Sequence, residues 1–259
     1  MYRSFRTYRI FFISLTATLV IVAIKYLFHR LGWELVAQTG LHNSVVAGVT
    51  FVLSFLMSAA IIDYKESERI PADFAANVED MYNDAAAIHA SYPVFDLTRF
   101  RRQLRKVAIG FGQDVRHRSY NARNDINQLN QFFTAMEAGK VPPNFIVKLK
   151  QQQTQLLRVR HRVDYIQRIK FIPSATILAR SIVTMVIVLL VLTEIEPFYG
   201  GLSIVGLIAF IQIYMLILIK VIGKPFHHEG ATQDDVSLFL ISSVVSYLSR
   251  KPKDEPGNA

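Results

Sequence analysis

The chain has 259 residues, with 29 Lys and Arg against 20 Asp and Glu, and is 51% hydrophobic but only 19% charged. Charge at that level falls below the roughly 25% of a soluble domain, and with a mean hydropathy of +0.27 the length suits either one large domain or a membrane protein of few spans. The absence of cysteine excludes disulfides, thiolate metal sites and thiol catalysis, and the net charge of +9 reads as the Lys and Arg bias of cytoplasmic loops rather than a nucleic-acid footprint.

A basic tail with Arg3, Arg6 and Arg9 leads into the first apolar run, from about Ile10 to Phe28, interrupted only by Lys25. No small-residue cleavage site follows it, so it is read as a retained span rather than a signal peptide. Trp33 suits an interface, and Lys25 is expected to snorkel to the boundary. The second run, from about Val45 to Ile62, empties directly into Asp63, Tyr64, Lys65 and Glu66.

The segment from 64 to 172 is dense in Lys and Arg and reads as helix nearly throughout. Pro71 is expected to open its first helix, with Asp73 in the first turn and Pro93 just past the end. Asp96 is expected to cap a second helix that closes at Gly139, with Gly110 and Gly112 as points of kink or break. A third runs from about Pro143 to Lys170. Its stripe of Phe145, Leu149, Leu156, Val159, Val163, Ile166 and Ile169 recurs at threes and fours and requires a partner surface.

The third apolar run spans about Ile177 to Leu192 and carries Arg180, and the fourth spans about Leu202 to Ile222 and carries Gln212 and Lys220. Each of the four is near the ~20 residues that cross a ~30 Å hydrocarbon layer. Arg180 and Lys220 can reach a boundary, whereas Gln212 needs a helix–helix bridge or an aqueous gap. Short links poor in Lys and Arg place both termini and the central segment in the cytoplasm. After the last span, Asp234 and Asp235 are expected to cap a helix over "VSLFLISSVVSYL".

The expected organisation is 1–63 with the first two spans, 64–172 as a cytoplasmic helical region, 173–226 with the last two spans, and 227–259 as a C-terminal helix and polar tail. The class is an all-α membrane protein. Enzyme chemistry finds no support: there is no phosphate-cradling loop, no nucleophile elbow and no helical metal pair. His227 and His228 beside Glu229 lack the spacing of three or four that faces one ion. The basic stretch "RHRSYNAR" reads as a solvated or headgroup-facing surface.

Three stretches resemble the bestrophin family of ion channels. "FVLSFLM", from Phe51 to Met57, is similar to that family's pore-lining helix. "DYIQRIKFIPSATILAR", residues 164–180, resembles its join between the long cytoplasmic helix and the third span. "GKPFHHEGATQDDVSLFLI", residues 223–241, resembles the segment after its last span. The resemblance implies a bestrophin-like homo-oligomer, a pentamer, in which five copies of the second span surround a narrow apolar neck.

On that reading Ala47, Phe51 and Phe55 fall at the neck. Residues at i, i+4 and i+8 share a helix face and would stack as rings, and apolar rings gate by dewetting. Ala47 is smaller than the family's usual branched residue there. Asp63, Glu66 and Glu68 follow as pore-mouth charges. The family's acidic calcium clasp is reduced to Glu229, Asp234 and Asp235, so calcium gating is not expected and no metal or cofactor is implied.

The expected partners are further copies of the chain, the lipid bilayer and small inorganic ions, and the expected location is a bacterial inner membrane. Basic residues near the cytoplasmic mouth favour anions such as chloride by their field, while the mouth carboxylates favour cations. A rival reading is a non-conducting scaffold or signalling subunit whose cytoplasmic helices bind a protein partner. A transporter subunit is a weaker third, since no interrupted span or midplane charge pair appears.

Overall fold

The computed structural model describes residues 8–117, 119, 121–168, 173–226 and 236–250. Its helices are α1 (Arg9–Leu31), α2 (Gly40–Ser91), α3 (Leu97–His117), α4 (Asn121–Asn127), α5 (Asn130–Ala138), α6 (Pro143–Arg168), α7 (Pro173–Leu192), α8 (Phe198–Ile222) and α9 (Phe239–Tyr247). The chain divides into two compact units. The first takes the described residues within Met1–Lys65 and Lys170–Asp235, and the second those within Glu66–Ile169 and Val236–Ala259.

In the first unit four helices are long and apolar enough to cross a membrane, and no more than 22% of any one apolar window is buried. Most of their apolar surface therefore points outward, which water does not tolerate and lipid or another copy does. The chain is an all-α membrane protein. Its inner packing is one cluster of Leu53, Ala60, Ala179, Val183, Ile219 and Ile222, and a second of Val186, Leu190 and Val205.

Helix α1 lies antiparallel to α8. Phe11 meets Phe210 edge-on at 5.6 Å, and His29 stacks on Phe198 at 3.7 Å. The first helix ends where Gly32 turns left-handed at φ 65°, its N–H returning to the His29 carbonyl; a residue without Cβ adopts that turn at no steric cost. The two links between spans meet as a pair of two-residue parallel strands, β1 (Val36–Ala37) and β2 (Thr193–Glu194). The sequence carries no strand signal there, and so short a ladder leaves no periodicity to read.

Lys25 does not snorkel. Its ammonium is 1% exposed and donates to a Glu34 carboxylate oxygen, to the Thr193 carbonyl, and to the Val191 carbonyl at 3.3 Å. His29 Nδ1 bonds the other Glu34 oxygen at 2.7 Å. Burial raises the Glu34 carboxyl, but the hydrogen bonds and charges of Lys25 and His29 outweigh it and hold the group below 4.5.

In the second unit Pro71 does not start a helix. It sits, buried, inside α2, which runs unbroken from Gly40 to Ser91. An interior proline removes one backbone hydrogen bond and crowds the preceding turn. Here Ile70, Phe74, Ala75 and Val78 are all buried around it, and that packing holds the helix on both sides. Phe74 stacks on Phe111 of α3 at 3.7 Å. Helix α3 turns its buried stripe of Phe100, Leu104, Val107 and Phe111 inward and Arg99, Arg102 and Arg105 outward.

Asp96 caps α3 as expected: its Oδ1 accepts from the Arg99 N–H at 2.9 Å. Gly110 and Gly112 do not break α3, which continues to His117. Gly110 is where α4 comes close; a methyl there would lie 3.0 Å from Asp125 Oδ2 and 3.2 Å from the Ala122 Cα. The expected single helix is instead three pieces, α3, α4 and α5, the last ending at Gly139.

The α6 stripe holds for Leu149, Leu156 and Val163, which are buried, while Phe145 stays 40% exposed. Gln153 and Arg160 are buried with them: Gln153 donates to the Ile126 carbonyl at 2.8 Å and Arg160 pairs with Asp114 at 3.5 Å. Asp114 Oδ1 also accepts from Ser119 and from the Asn121 N–H at the start of α4. Helix α9 begins at Phe239 with Leu238 in the cap position; Asp234 and Asp235, the expected caps, lie outside the described residues.

Candidate functional site

The second apolar run becomes the first half of α2. One face of it carries Val49, Leu53, Leu56, Met57 and Ala60 and packs into the inner cluster with α7 and α8. The opposite face is uncovered among the described residues. Ala47, Gly48, Phe51, Ser54, Phe55, Ser58 and Ile62 are all exposed along it, Phe51 by 73% and Phe55 by 70%. Their spacing of three and four places them on one continuous stripe.

Exposed positions of α1 and α8 include the aliphatics Leu19, Val20, Leu27, Ile204, Leu207 and Ile211 and the aromatics Phe11, Phe12, Tyr26 and Tyr199. The α2 stripe alternates two phenylalanines with Ala, Gly and Ser. Small residues permit close approach of helices in a membrane, and the phenylalanines between them project beyond the small-residue surface. The Ser54 and Ser58 hydroxyls donate to the carbonyls of Thr50 and Ser54 at 2.8 and 3.0 Å. Their donors are thereby satisfied within the helix, which leaves the stripe little free donor chemistry.

Beyond the stripe, Asp63, Glu66 and Glu68 are all exposed. Glu66 forms an ion pair with Arg162 of α6, a partner that sequence spacing could not indicate. Arg180, on α7, is exposed, and Lys220 lies exposed in the last turn of α8. Among the described residues no group of three or more His, Cys, Asp or Glu is placed to hold a metal ion. Glu229, Asp234 and Asp235, with His227 and His228, lie outside the described residues.

No protein-family profile matches the chain, and no curated protein matches it. Solved structures do. Two are point-mutant forms of a bacterial bestrophin homologue from Klebsiella pneumoniae. One is 13% identical with TM-score 0.78, covering 93% of this chain and 95% of that one. The other is 13% identical with TM-score 0.75, covering 93% and 97%. A third, described only as a membrane protein, is 13% identical with TM-score 0.76 over 93% and 97%. The chain is built on the bestrophin fold.

Proposed function

We propose that the chain is an oligomeric ion channel of bestrophin type, passing small monovalent ions through an apolar neck formed by the second span. The observation that carries this reading is the uncovered α2 stripe: Phe51 and Phe55, one turn apart, project from a span whose other face is packed. Ala47, one turn before Phe51, is exposed on the same stripe. Around a central axis, five copies would stack these side chains as rings, and such apolar rings gate by wetting and dewetting.

The channel on this reading favours anions such as chloride. Of the three carboxylates that follow the span, Glu66 has its charge offset by Arg162, and the chain as a whole carries +9, a field that raises the local anion concentration. Both termini and the helical middle are cytoplasmic by the Lys and Arg bias of the short links, and the membrane is a bacterial inner membrane. The basic surface is accounted for by that topology, without nucleic acid.

The test is the reversal potential of the purified protein in a planar bilayer under a salt gradient. Current reversing near the chloride equilibrium supports both the channel and its sign. Reversal near the cation equilibrium keeps the channel and overturns the sign. Silence from bilayers shown to contain inserted oligomers moves the reading to a non-conducting scaffold.

A further inference from the structure

Helices α3 and α4 press together over Gly110, where a methyl would lie 3.0 Å from Asp125 Oδ2 and 3.2 Å from the Ala122 Cα. Beside that contact the two helices enclose a cavity of about 350 Å³, at the low end of the roughly 300–1,000 Å³ of small-molecule clefts. Lys106, Gly110 and Gln113 line it from α3, and Asn121, Asn124 and Asp125 line it from α4. Each set recurs at threes and fours and so occupies one face of its helix. Two packed helix faces, both in the second unit, therefore build the cavity.

The lining brings together one ammonium, one carboxylate and three amides. Among the described residues none of these five side chains hydrogen-bonds to another protein group. Backbone bonds hold α4 instead. Gln103 donates to the Asp125 carbonyl at 2.7 Å, and the Asn121 N–H donates to Asp114 Oδ1 at 2.8 Å. The Asn121 and Asp125 side chains are left to the cavity. Lys106 and Asp125 feel each other's charge but make no ion-pair contact, so a gap separates them that a ligand can bridge.

Asp125 is also placed at a cost. Burial and the Asp114 charge raise its carboxyl above the ordinary value, and Lys106 offsets them only in part. Asp114 itself pairs with Arg160, whereas Asp125 has no such contact. A carboxylate that weakens the fold at neutral pH, where an isosteric amide would not, fits a trade of stability for binding.

Complementarity decides the ligand. A plain cation would satisfy Asp125 but meet Lys106 as a like charge, and a plain anion would do the reverse. A zwitterion satisfies both, through charge-assisted hydrogen bonds, which are the strong ones. We propose that this cavity binds the head group of a free α-amino acid. Its ammonium lies on Asp125 and its carboxylate on Lys106, and Gln113, Asn121 and Asn124 supply the remaining bonds. Lys106, Gln113, Asn121 and Asn124 are exposed at the rim, so the ligand's own side chain points outward and glycine is a sufficient probe. The site lies within the second unit and stands whether or not α2 lines a pore.

The test is calorimetric titration of the full chain in lipid nanodiscs with glycine, and separately with methylammonium and acetate, which carry a single charge each. Glycine should bind more tightly than either. Asp125→Asn and Lys106→Gln each remove one charge-assisted bond and should weaken glycine about tenfold or more. The first is isosteric and the second is on the surface, so both variants fold, which circular dichroism checks. Three outcomes overturn the proposal: no glycine binding by the folded wild-type chain, undiminished binding in either variant, or methylammonium or acetate binding as tightly as glycine.

Discussion

Lys25 and Glu34 are nine residues apart and form a buried ion pair, their side chains 1% and 8% exposed. The pair joins the end of the first span to the link that follows, and the Lys25 ammonium also holds the Thr193 carbonyl of β2. Taking two charges out of water is repaid only when both are fully bonded. Here the ammonium meets a carboxylate and two carbonyls, and the carboxylate meets an ammonium and an imidazole.

Removing one partner strands the other. Lys25→Met leaves the Glu34 carboxylate in a buried site with His29 alone, and should destabilise the spanning unit by about 3–5 kcal/mol. The double variant Lys25→Met with Glu34→Gln should recover part of that loss. Thermal unfolding in lipid nanodiscs reads both. The Glu34 carboxyl is held low in the folded protein, so its contribution is fully present above the unfolded value of 4.5 and is lost as pH falls through the lower folded value. Glu34→Gln should therefore flatten the acid side of the stability curve below pH 4.5.

Replacing Phe51 and Phe55 together with Ala removes the two side chains that project most from the α2 stripe. Neither belongs to the inner cluster, so folding should change little, within about 1 kcal/mol. Conductance should rise severalfold and rectification or closure should weaken, because a wider, shorter apolar constriction stays wet. Unchanged single-channel current in planar bilayers would remove these residues from the neck.

Arg162→Ala frees the Glu66 carboxylate. Both side chains are about half exposed, 50% and 49%, and a surface pair of that kind contributes about 0–1 kcal/mol. Stability should hardly move. Selectivity should: an uncompensated carboxylate in every copy shifts the reversal potential toward the cation equilibrium. Glu66→Gln in the same background should return it.

Asp125 shows the opposite electrostatic situation to Glu34. Burial raises its carboxyl above 3.8 and the nearby Asp114 charge adds to the rise, while Lys106 opposes it. A raised folded value means that the contribution to stability is full below 3.8 and is lost as pH rises through the folded value. Asp125→Asn should raise the melting temperature at neutral pH, and the gain should vanish as pH falls below 3.8. A gain that persists in acid would assign the effect to packing instead.

Local signals in the chain were legible where their physics is local. Four apolar runs long enough to span, the Asp96 cap, the closing Gly139 and the spacing of Ala47, Phe51 and Phe55 on one helix face all follow from neighbours within two turns. Pro71 was misleading because a proline has the same local appearance at a helix start and inside a helix held by packing. Gly110 was misleading for a related reason: its missing Cβ makes room for Ala122 and Asp125 of another helix, and no feature of α3 itself announces that neighbour.

The sequence by itself determined an all-α membrane protein with four spans, because hydrophobic length and helical period are short-range properties; the assignment of Ala47, Phe51 and Phe55 to a neck came from the family resemblance. Tertiary structure alone decided which charges are buried and what satisfies them. Lys25 reaches Thr193 across 168 positions, and Arg160 meets Asp114. Such pairings depend on which helices the fold sets side by side. The cost of an unpaired buried charge then selects the partner, and that partner has no fixed distance along the chain.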